Sequence, residues 1–421
     1  MTVDLMPTIT CTPVYDAGDI TNFQAIRASG LPCAIFGAGI MGEVLHYLCE
    51  QHGITVAFLC DNNATKIGSR VRGTPVLSVQ EATTQHGKVL FLISVADIQD
   101  VVPQLAHYGQ TLWVAGGLLL QHTMLPANTF STADDFVQFA LDACISCHHA
   151  YIHPDSLFLR SVDIVITERC SLKCHDCSNL MQYYARPANR TLDEIMRSID
   201  GLCAVVDDIN EIRLIGGEPF MNKDIYPVMQ RLLNESRIHR IVVFTNGSIV
   251  PPPHWDALLR NNKLFFIITD YGTLVKNTEG FVHKLRDIGA AHYVQPPNNW
   301  TACSSIEPRH RSDDAQTQLF QRCCAKYLFT MLGGKFFRCP FAAHVDNLGA
   351  TPIFPDDYVH LDDWDGSAEH RQLLRKHMHN YVTRRLNFLQ SCDFCTGRFL
   401  DDPKIEPAHQ TKHPLTFQKY R

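Results

Sequence analysis

Residues 169–179 read Arg169-Cys-Ser-Leu-Lys-Cys-His-Asp-Cys-Ser-Asn179. Cys170, Cys174 and Cys177 have three and then two residues between them. Thiolates at this density suit an iron–sulfur cluster or zinc. No fourth cysteine follows closely, so a four-iron cube held here keeps one iron open to chemistry. A structural zinc site is the alternative, and it wants a fourth ligand. Just upstream lies Val162-Asp-Ile-Val-Ile-Thr167, an apolar run that predicts a buried strand. A cysteine loop at the C-terminal end of a strand is where barrel enzymes place their catalysts.

From residue 162 onward predicted strands alternate with helices, which argues for parallel βα units and a partial barrel. Thr191 opens a helix as N-cap, with Glu194 three residues on. Next come Glu211-Ile-Arg-Leu-Ile-Gly-Gly-Glu-Pro219, Arg240-Ile-Val-Val-Phe-Thr-Asn-Gly247 and Lys263-Leu-Phe-Phe-Ile-Ile-Thr-Asp-Tyr-Gly272. A further helix from Phe281 leads to His292-Tyr-Val-Gln-Pro296. That makes roughly six βα units, an incomplete barrel whose open side admits substrate.

The cysteine triplet followed by Gly216-Gly217-Glu218 resembles the radical S-adenosylmethionine (radical SAM) superfamily, with its CxxxCxxC and GGE motifs. The resemblance implies a [4Fe–4S] cluster on Cys170, Cys174 and Cys177 whose open iron binds the amino and carboxylate groups of SAM. An electron from the cluster then splits SAM, and a 5′-deoxyadenosyl radical abstracts a substrate hydrogen. It also implies SAM contacts at Gly216, Gly217, Glu218, Asn246 and Asp270, with Thr245 and Thr269 as weaker candidates. The glycines would let the backbone approach the methionyl end, and a carboxylate there can hold its ammonium. Each strand-end polar residue also suits a turn, and Asn246-Gly247 is a common turn pair. One departure stands out: the family has an aromatic residue before the third cysteine, and this chain has Asp176.

The last third holds Cys323-Cys324, then Leu328-Phe-Thr-Met-Leu-Gly-Gly-Lys-Phe-Phe-Arg-Cys339, and much later Cys392-Asp-Phe-Cys395. Gly333-Gly334 between two apolar runs predicts a β-hairpin. A cysteine before a hairpin, one after it and a distal CxxC resemble the twitch or SPASM-type extensions of radical SAM enzymes. That resemblance implies an auxiliary [4Fe–4S] cluster on Cys323, Cys339, Cys392 and Cys395. Cys324 is the alternative to Cys323, and structural zinc is the alternative metal. An electron donor such as a flavodoxin or ferredoxin is implied as partner.

The front of the chain reads differently. Cys33-Ala-Ile-Phe36 predicts a strand, Gly37-Ala-Gly39-Ile-Met-Gly42 a glycine turn, and Ile40 to His52 a helix. A second strand ends at Asp61, about 20 positions on, as in dinucleotide-binding units. Gly37, Gly39 and Gly42 would admit a pyrophosphate at the helix N-terminus, and Asp61 would accept from a ribose hydroxyl. The alternative is a sheet whose glycines serve packing alone. Cys144, Cys147, His148, His149 and His153 read as a buried helix end, since no second CxxC lies at zinc-finger distance.

The expected class is therefore α/β. An arm (1–30) precedes a Rossmann-like doubly wound domain (31–125) and a helical connector (126–160). A partial (βα)₆ radical SAM barrel (161–310), a small auxiliary-cluster domain (311–400) and a tail (401–421) follow. With 421 residues, 45% hydrophobic and 19% charged, the chain suits a multidomain globular protein. A net charge of −6 gives no electrostatic case for nucleic acid. No apolar run reaches membrane-spanning length, and the start lacks a basic segment before an apolar core, so a cytoplasmic location is expected. Sixteen cysteines without a secretory signal favour metal over disulfides.

The wording of the motifs and the front domain look most like radical SAM members of polysaccharide or nucleotide-sugar biosynthesis. The first expectation is oxidation or epimerisation of a sugar or nucleotide sugar, with Cys303 and Cys324 as candidate hydrogen donors. The alternatives are a peptide-modifying radical SAM enzyme and a non-enzymatic iron–sulfur or zinc protein.

Overall fold

The structure is a computed structural model that describes residues 22–121, 123–298, 300–383, 386–399 and 401–421. It divides into a unit ending at Ser156 and a unit spanning Leu157–Arg421.

The first unit is a six-stranded sheet built from β1 (Cys33–Phe36), β2 (Val56–Cys60), β3 (Arg70–Val71), β4 (Thr74–Leu77), β5 (Leu90–Ile93) and β6 (Trp113–Ala115). Their order is β3-β4-β2-β1-β5-β6, parallel except for β3. Strand residues alternate between two buried layers. Ile35, Leu59 and Leu92 join one apolar cluster, and Phe36, Phe58 and Phe91 the other. The glycine turn follows β1, where the strand order reverses. Of the expected arm, residues 1–21 lie outside the described residues, and Phe23–Ser29 is a helix capped by the Asn22 side chain. The expected connector is largely the helix Asp134–Ile152. Val137, Leu141 and Cys144 form a stripe along one side of that helix, and all three enter the core of this unit.

The second unit contains β7 (Phe158–Thr167), β8 (Asp208–Gly216), β9 (Ile238–Thr245), β10 (Leu264–Thr269), β11 (His292–Gln295), β12 (Phe329–Leu332), β13 (Lys335–Phe337) and β14 (Tyr358–His360). The order is β11-β10-β9-β8-β7-β12-β13-β14. β7 to β11 are parallel and pair in chain order. β12 is parallel to β7 on its other side, and β13 and β14 continue antiparallel. Five consecutive βα strands stand in chain order, and β12 adds a sixth parallel strand on the other side of β7, with β14 at that edge. The predicted hairpin at Gly333-Gly334 joins β12 to β13, with positive φ at both glycines. It extends the barrel sheet instead of opening a separate one, because β12 pairs directly with β7.

Along β7, Val162, Ile164 and Ile166 face the helices Leu192–Val205, Ile225–Leu233 and Thr278–Asp287 in the main core. Asp163 and Val165 alternate with them and point the other way. There Asp163 pairs with Arg213 of β8. Thr191 caps its helix as expected, accepting from Glu194 N at 3.3 Å. The loops after β7, β8, β9, β10 and β11 all leave from the C-terminal edge of this parallel sheet.

Candidate metal centre

The loop after β7 brings Cys170, Cys174 and Cys177 together. Burial raises all three thiols, Cys170 to about 12 and Cys174 to about 11; nearby thiols add to the effect, Cys174 and Cys177 at Cys170, Cys177 at Cys174, and Cys303 at Cys177. Three desolvated thiols at one place hold a metal far better than they hold separate negative charges. Amide N–H groups aim at the sulfurs: Leu172 N donates to Cys170 Sγ at 3.4 Å, Asn246 Nδ2 to the same sulfur at 3.8 Å, and Gln410 Nε2 to Cys174 Sγ at 3.4 Å. Such donors suit ligating thiolates, so the residues fit a cluster.

The glycines of the GGE motif serve this loop directly. A Cβ on Gly217 would meet Arg169 O at 2.3 Å and Cys170 Cβ at 2.6 Å, and one on Gly216 would meet Thr167 O at 2.2 Å. On the Cβ side, Gly216 packs against the end of β7 and Gly217 against the start of the cysteine loop. Glu218 is fully buried, and its carboxylate already accepts from Thr245 Oγ1 at 2.8 Å, Phe220 N at 3.2 Å and Asn246 N at 2.8 Å. Burial pushes it up to about 7 against these donors. It ties the end of β8 to the end of β9. Asn246 reaches both Cys170 and Ser171 Oγ. Asp270 is exposed and caps its own turn through Gly272 N. Thr269 lines a polar pocket with Tyr271, Tyr293, Gln295, Asn298 and Trp300. Tyr271 and Trp300 also pack against the cysteine loop.

A second set of thiols gathers elsewhere in this unit. Cys323, Cys339, Cys392 and Cys395 line one pocket, and Cys303 joins them there. Ala342 N donates to Cys339 Sγ at 3.4 Å and Gly397 N to Cys395 Sγ at 3.3 Å. Asp357 fixes the Cys392 turn by accepting from Gln390 N and Ser391 N. The donor set fits a second cluster on the same grounds as the first. Cys303 lies on a segment between the two sets: Ser304 Oγ donates to Asp176 at 3.3 Å, while Glu307 N and Arg309 N donate to the 393–394 backbone. Its thiol acts electrostatically on Cys177 and Cys395 alike. Cys324 is exposed and stands outside the residues lining the pocket.

In the first unit the glycine turn is bound internally. A Cβ on Gly42 would sit 1.9 Å from Gly37 O, and one on Gly37 would collide with Ser94 Oγ at 2.5 Å. Only Gly39 has room, with Lys66 Nζ its nearest neighbour at 3.6 Å. Asp61 accepts from Ala38 N, Asn63 N and Lys66, bonds that fasten the loop it begins. His148 is fully buried, with Gly117 N donating to Nδ1 and Nε2 facing Val95 O, and Cys144 and Cys147 are buried with it. His149 and His153, expected in the same buried helix end, are exposed, because they fall on the opposite side and at the end of the helix.

Three features escaped sequence reasoning. Gln410 meets Cys174 across 236 positions. Arg338, beside Cys339, is buried and donates to the Tyr381 and Val382 carbonyls at the end of the helix Ala368–Thr383. Tyr271 and Trp300 cover the cysteine loop. No spacing rule links any of these pairs.

Residues 164–272 match the family model described as Radical SAM superfamily. Membership of the radical SAM superfamily is supported. The matched span includes the cysteine triplet, the GGE turn and the ends of β9 and β10, and stops short of the second thiol set. The GTP 3',8-cyclase of Clostridium acetobutylicum is 30% identical over 96 residues, 22% of this chain and 30% of the cyclase. The molybdenum cofactor biosynthesis protein 1 of Drosophila melanogaster is 30% identical over 105 residues, 24% of this chain and 16% of that protein. The chain thus spans under a third of the length of these curated relatives. Among solved structures, BtrN in complex with AdoMet and 2-DOIA is 12% identical with a TM-score of 0.37, covering 57% of this chain and 93% of BtrN. SuiB of Streptococcus suis is 13% identical with a TM-score of 0.27, covering 47% of this chain and 42% of SuiB. Scores at this level speak for no shared substrate. No helix among the described residues is long and apolar enough to cross a membrane.

Proposed function

We propose that this radical SAM enzyme holds two [4Fe–4S] clusters and acts on a carbon–hydrogen bond of a sugar or nucleotide sugar, by oxidation or epimerisation. The gathering of seven cysteines into two separate thiol sets carries the reading. When bound, the first cluster with SAM supplies the one-electron chemistry that ends in hydrogen abstraction from substrate. Cys170, Cys174 and Cys177 would hold that cluster. Asn246 and Gln410 point amide N–H groups at its sulfurs, and Tyr271 and Trp300 shield the loop from water. Cys323, Cys339, Cys392 and Cys395 would hold the second cluster, with Cys303 beside them.

The pocket formed by Thr269, Tyr271, Tyr293, Gln295, Asn298 and Trp300 supports a hydroxyl-rich substrate. Flat aromatic faces stack on a sugar ring or base, and amide and hydroxyl groups meet its oxygens. The sequence relatives named for GTP act on a nucleotide, which agrees with a nucleotide-bearing substrate.

Iron, sulfide and 5′-deoxyadenosine release, measured anaerobically, test the reading. Two clusters predict about eight irons per chain, falling to about four in a Cys170/Cys174/Cys177→Ala variant with deoxyadenosine abolished. Zinc in place of iron would overturn it. Deoxyadenosine release stimulated by nucleotide sugars supports the substrate class; stimulation only by peptides would replace it. In an epimerase Cys303 is the candidate thiol that returns hydrogen, so Cys303→Ala blocks turnover while SAM cleavage persists.

A further inference from the structure

The segment 405–411 pairs with the loop that carries the first thiol set. Ile405 N donates to Trp300 O at 3.0 Å. His175 N donates to His409 O and Thr411 N to Lys173 O, each at 2.7 Å. Those two bonds flank an antiparallel bridge between Cys174 and Gln410. Ala408 is buried with Leu172, Cys174 and Val275, in a left-handed conformation at φ 57. A non-glycine residue stays in that region only where its surroundings hold it. Beyond the loop, Leu415 N donates to Gln182 O and Tyr420 N to Gly349 O, so the segment is anchored on both sides of the crossing.

The Gln410 amide is fully committed, and the commitments fix which way it points. Oε1 accepts from Lys173 N at 2.7 Å, so it is the oxygen. Nε2 donates to Ala408 O at 2.7 Å, so it is the nitrogen. The second N–H of Nε2 is left for Cys174 Sγ at 3.4 Å.

We infer that Gln410 is a positioning residue of the SAM-cluster site, carried in by the 405–411 segment, which sets the reduction potential of the cluster on Cys170, Cys174 and Cys177. The inference rests on the cluster reading above. An N–H donor on a ligating sulfur stabilises negative charge there. The reduced cluster carries one more electron than the oxidised one, so the donor favours reduction. Removing the donor makes the cluster harder to reduce by an external protein or chemical donor.

The test is an EPR-monitored redox titration of the reconstituted full chain, following the signal that changes when SAM is added. Wild type is compared with Gln410→Glu and Gln410→Leu. Gln410→Glu keeps the acceptor for Lys173 N but replaces the donor to sulfur with a negative charge, so the neutral Gln410→Leu is the variant that shows the loss of the donor alone. The expected result is full iron loading of Gln410→Glu with its midpoint moved to more negative potential. Deoxyadenosine formation with a mild reductant falls roughly tenfold, the range typical of partners one step behind a metal ligand. An iron-loaded Gln410→Glu with the wild-type midpoint would overturn the inference while leaving the cluster reading intact. Wild type without iron would overturn both. Gln410→Leu separates lost packing from lost polarity: a negative shift there too supports the donor, whereas an unmoved midpoint in a loaded protein counts against it.

Discussion

At Gly217 a Cβ would press on the Arg169 carbonyl and the Cys170 Cβ, and neither can move without moving the first ligating thiol. Gly217→Ala is therefore expected to lose the iron of the first cluster and keep that of the second. Iron per chain should fall to the level of the triple cysteine variant. Glu218 shows the same local economy: one carboxylate serves three donors in a fully buried place. Gln at this position has a single acceptor atom and turns an N–H₂ toward groups that themselves donate. Glu218→Gln should cost about 1–3 kcal/mol, read from urea unfolding, since each orphaned buried donor carries a desolvation penalty. The motif was legible in the sequence and its partner was not. Glycine says that something comes close; it does not say whether that is a ligand or the neighbouring loop.

At the scale of elements, the helix Asp134–Ile152 makes the first unit sensitive to acid. Burial holds His148 down to about 4, while the unfolded imidazole titrates near its ordinary 6.5. Between those values the unfolded chain binds the proton and the folded chain does not. Stability is thus full above the unfolded value and is lost as pH falls through the window, by roughly 3 kcal/mol in all. Calorimetry of the full chain between pH 7 and 4 should show the transition of this unit sliding downward, and His148→Gln should flatten that slope. Inside the barrel sheet, β7 and β8 are tied by the Asp163–Arg213 pair, whose carboxylate burial pushes up and whose arginine pulls back down. Asp163→Ala leaves a half-buried guanidinium with only Glu211 and the Phe244 face near it, and the expected loss is about 2–3 kcal/mol in chemical unfolding. Strand positions were readable because apolar runs end at turn residues. The place of β12 was not, because pairing with β7 or with a separate sheet demands the same alternation.

Across the whole molecule, each unit carries a glycine turn, and Gly37, Gly42, Gly216 and Gly217 all lack room for a Cβ. In the first unit Gly42 is locked against Gly37 O, while Gly39 faces open space. Gly42→Ala should unfold that unit. Gly39→Ala should leave its stability within about 0.5 kcal/mol of wild type, as at unencumbered positions. For a nucleotide at this turn, calorimetric titration should show its affinity fall in a Gly39→Ala variant that remains folded. Local order determined much of this protein. Three cysteines within eight positions must share one loop, a GGE after an apolar run must end a strand, and hydrophobic periodicity must alternate strand with helix, since each involves residues the chain already holds close. Only the tertiary structure decided that Gln410 donates to Cys174, that Asp61 fastens its own loop, and that Cys303 stands with the second thiol set. The Gln410 and Cys303 contacts join residues whose separation leaves no periodic trace, and they form only when folding brings distant polar groups to the same place and leaves them little water to bond instead.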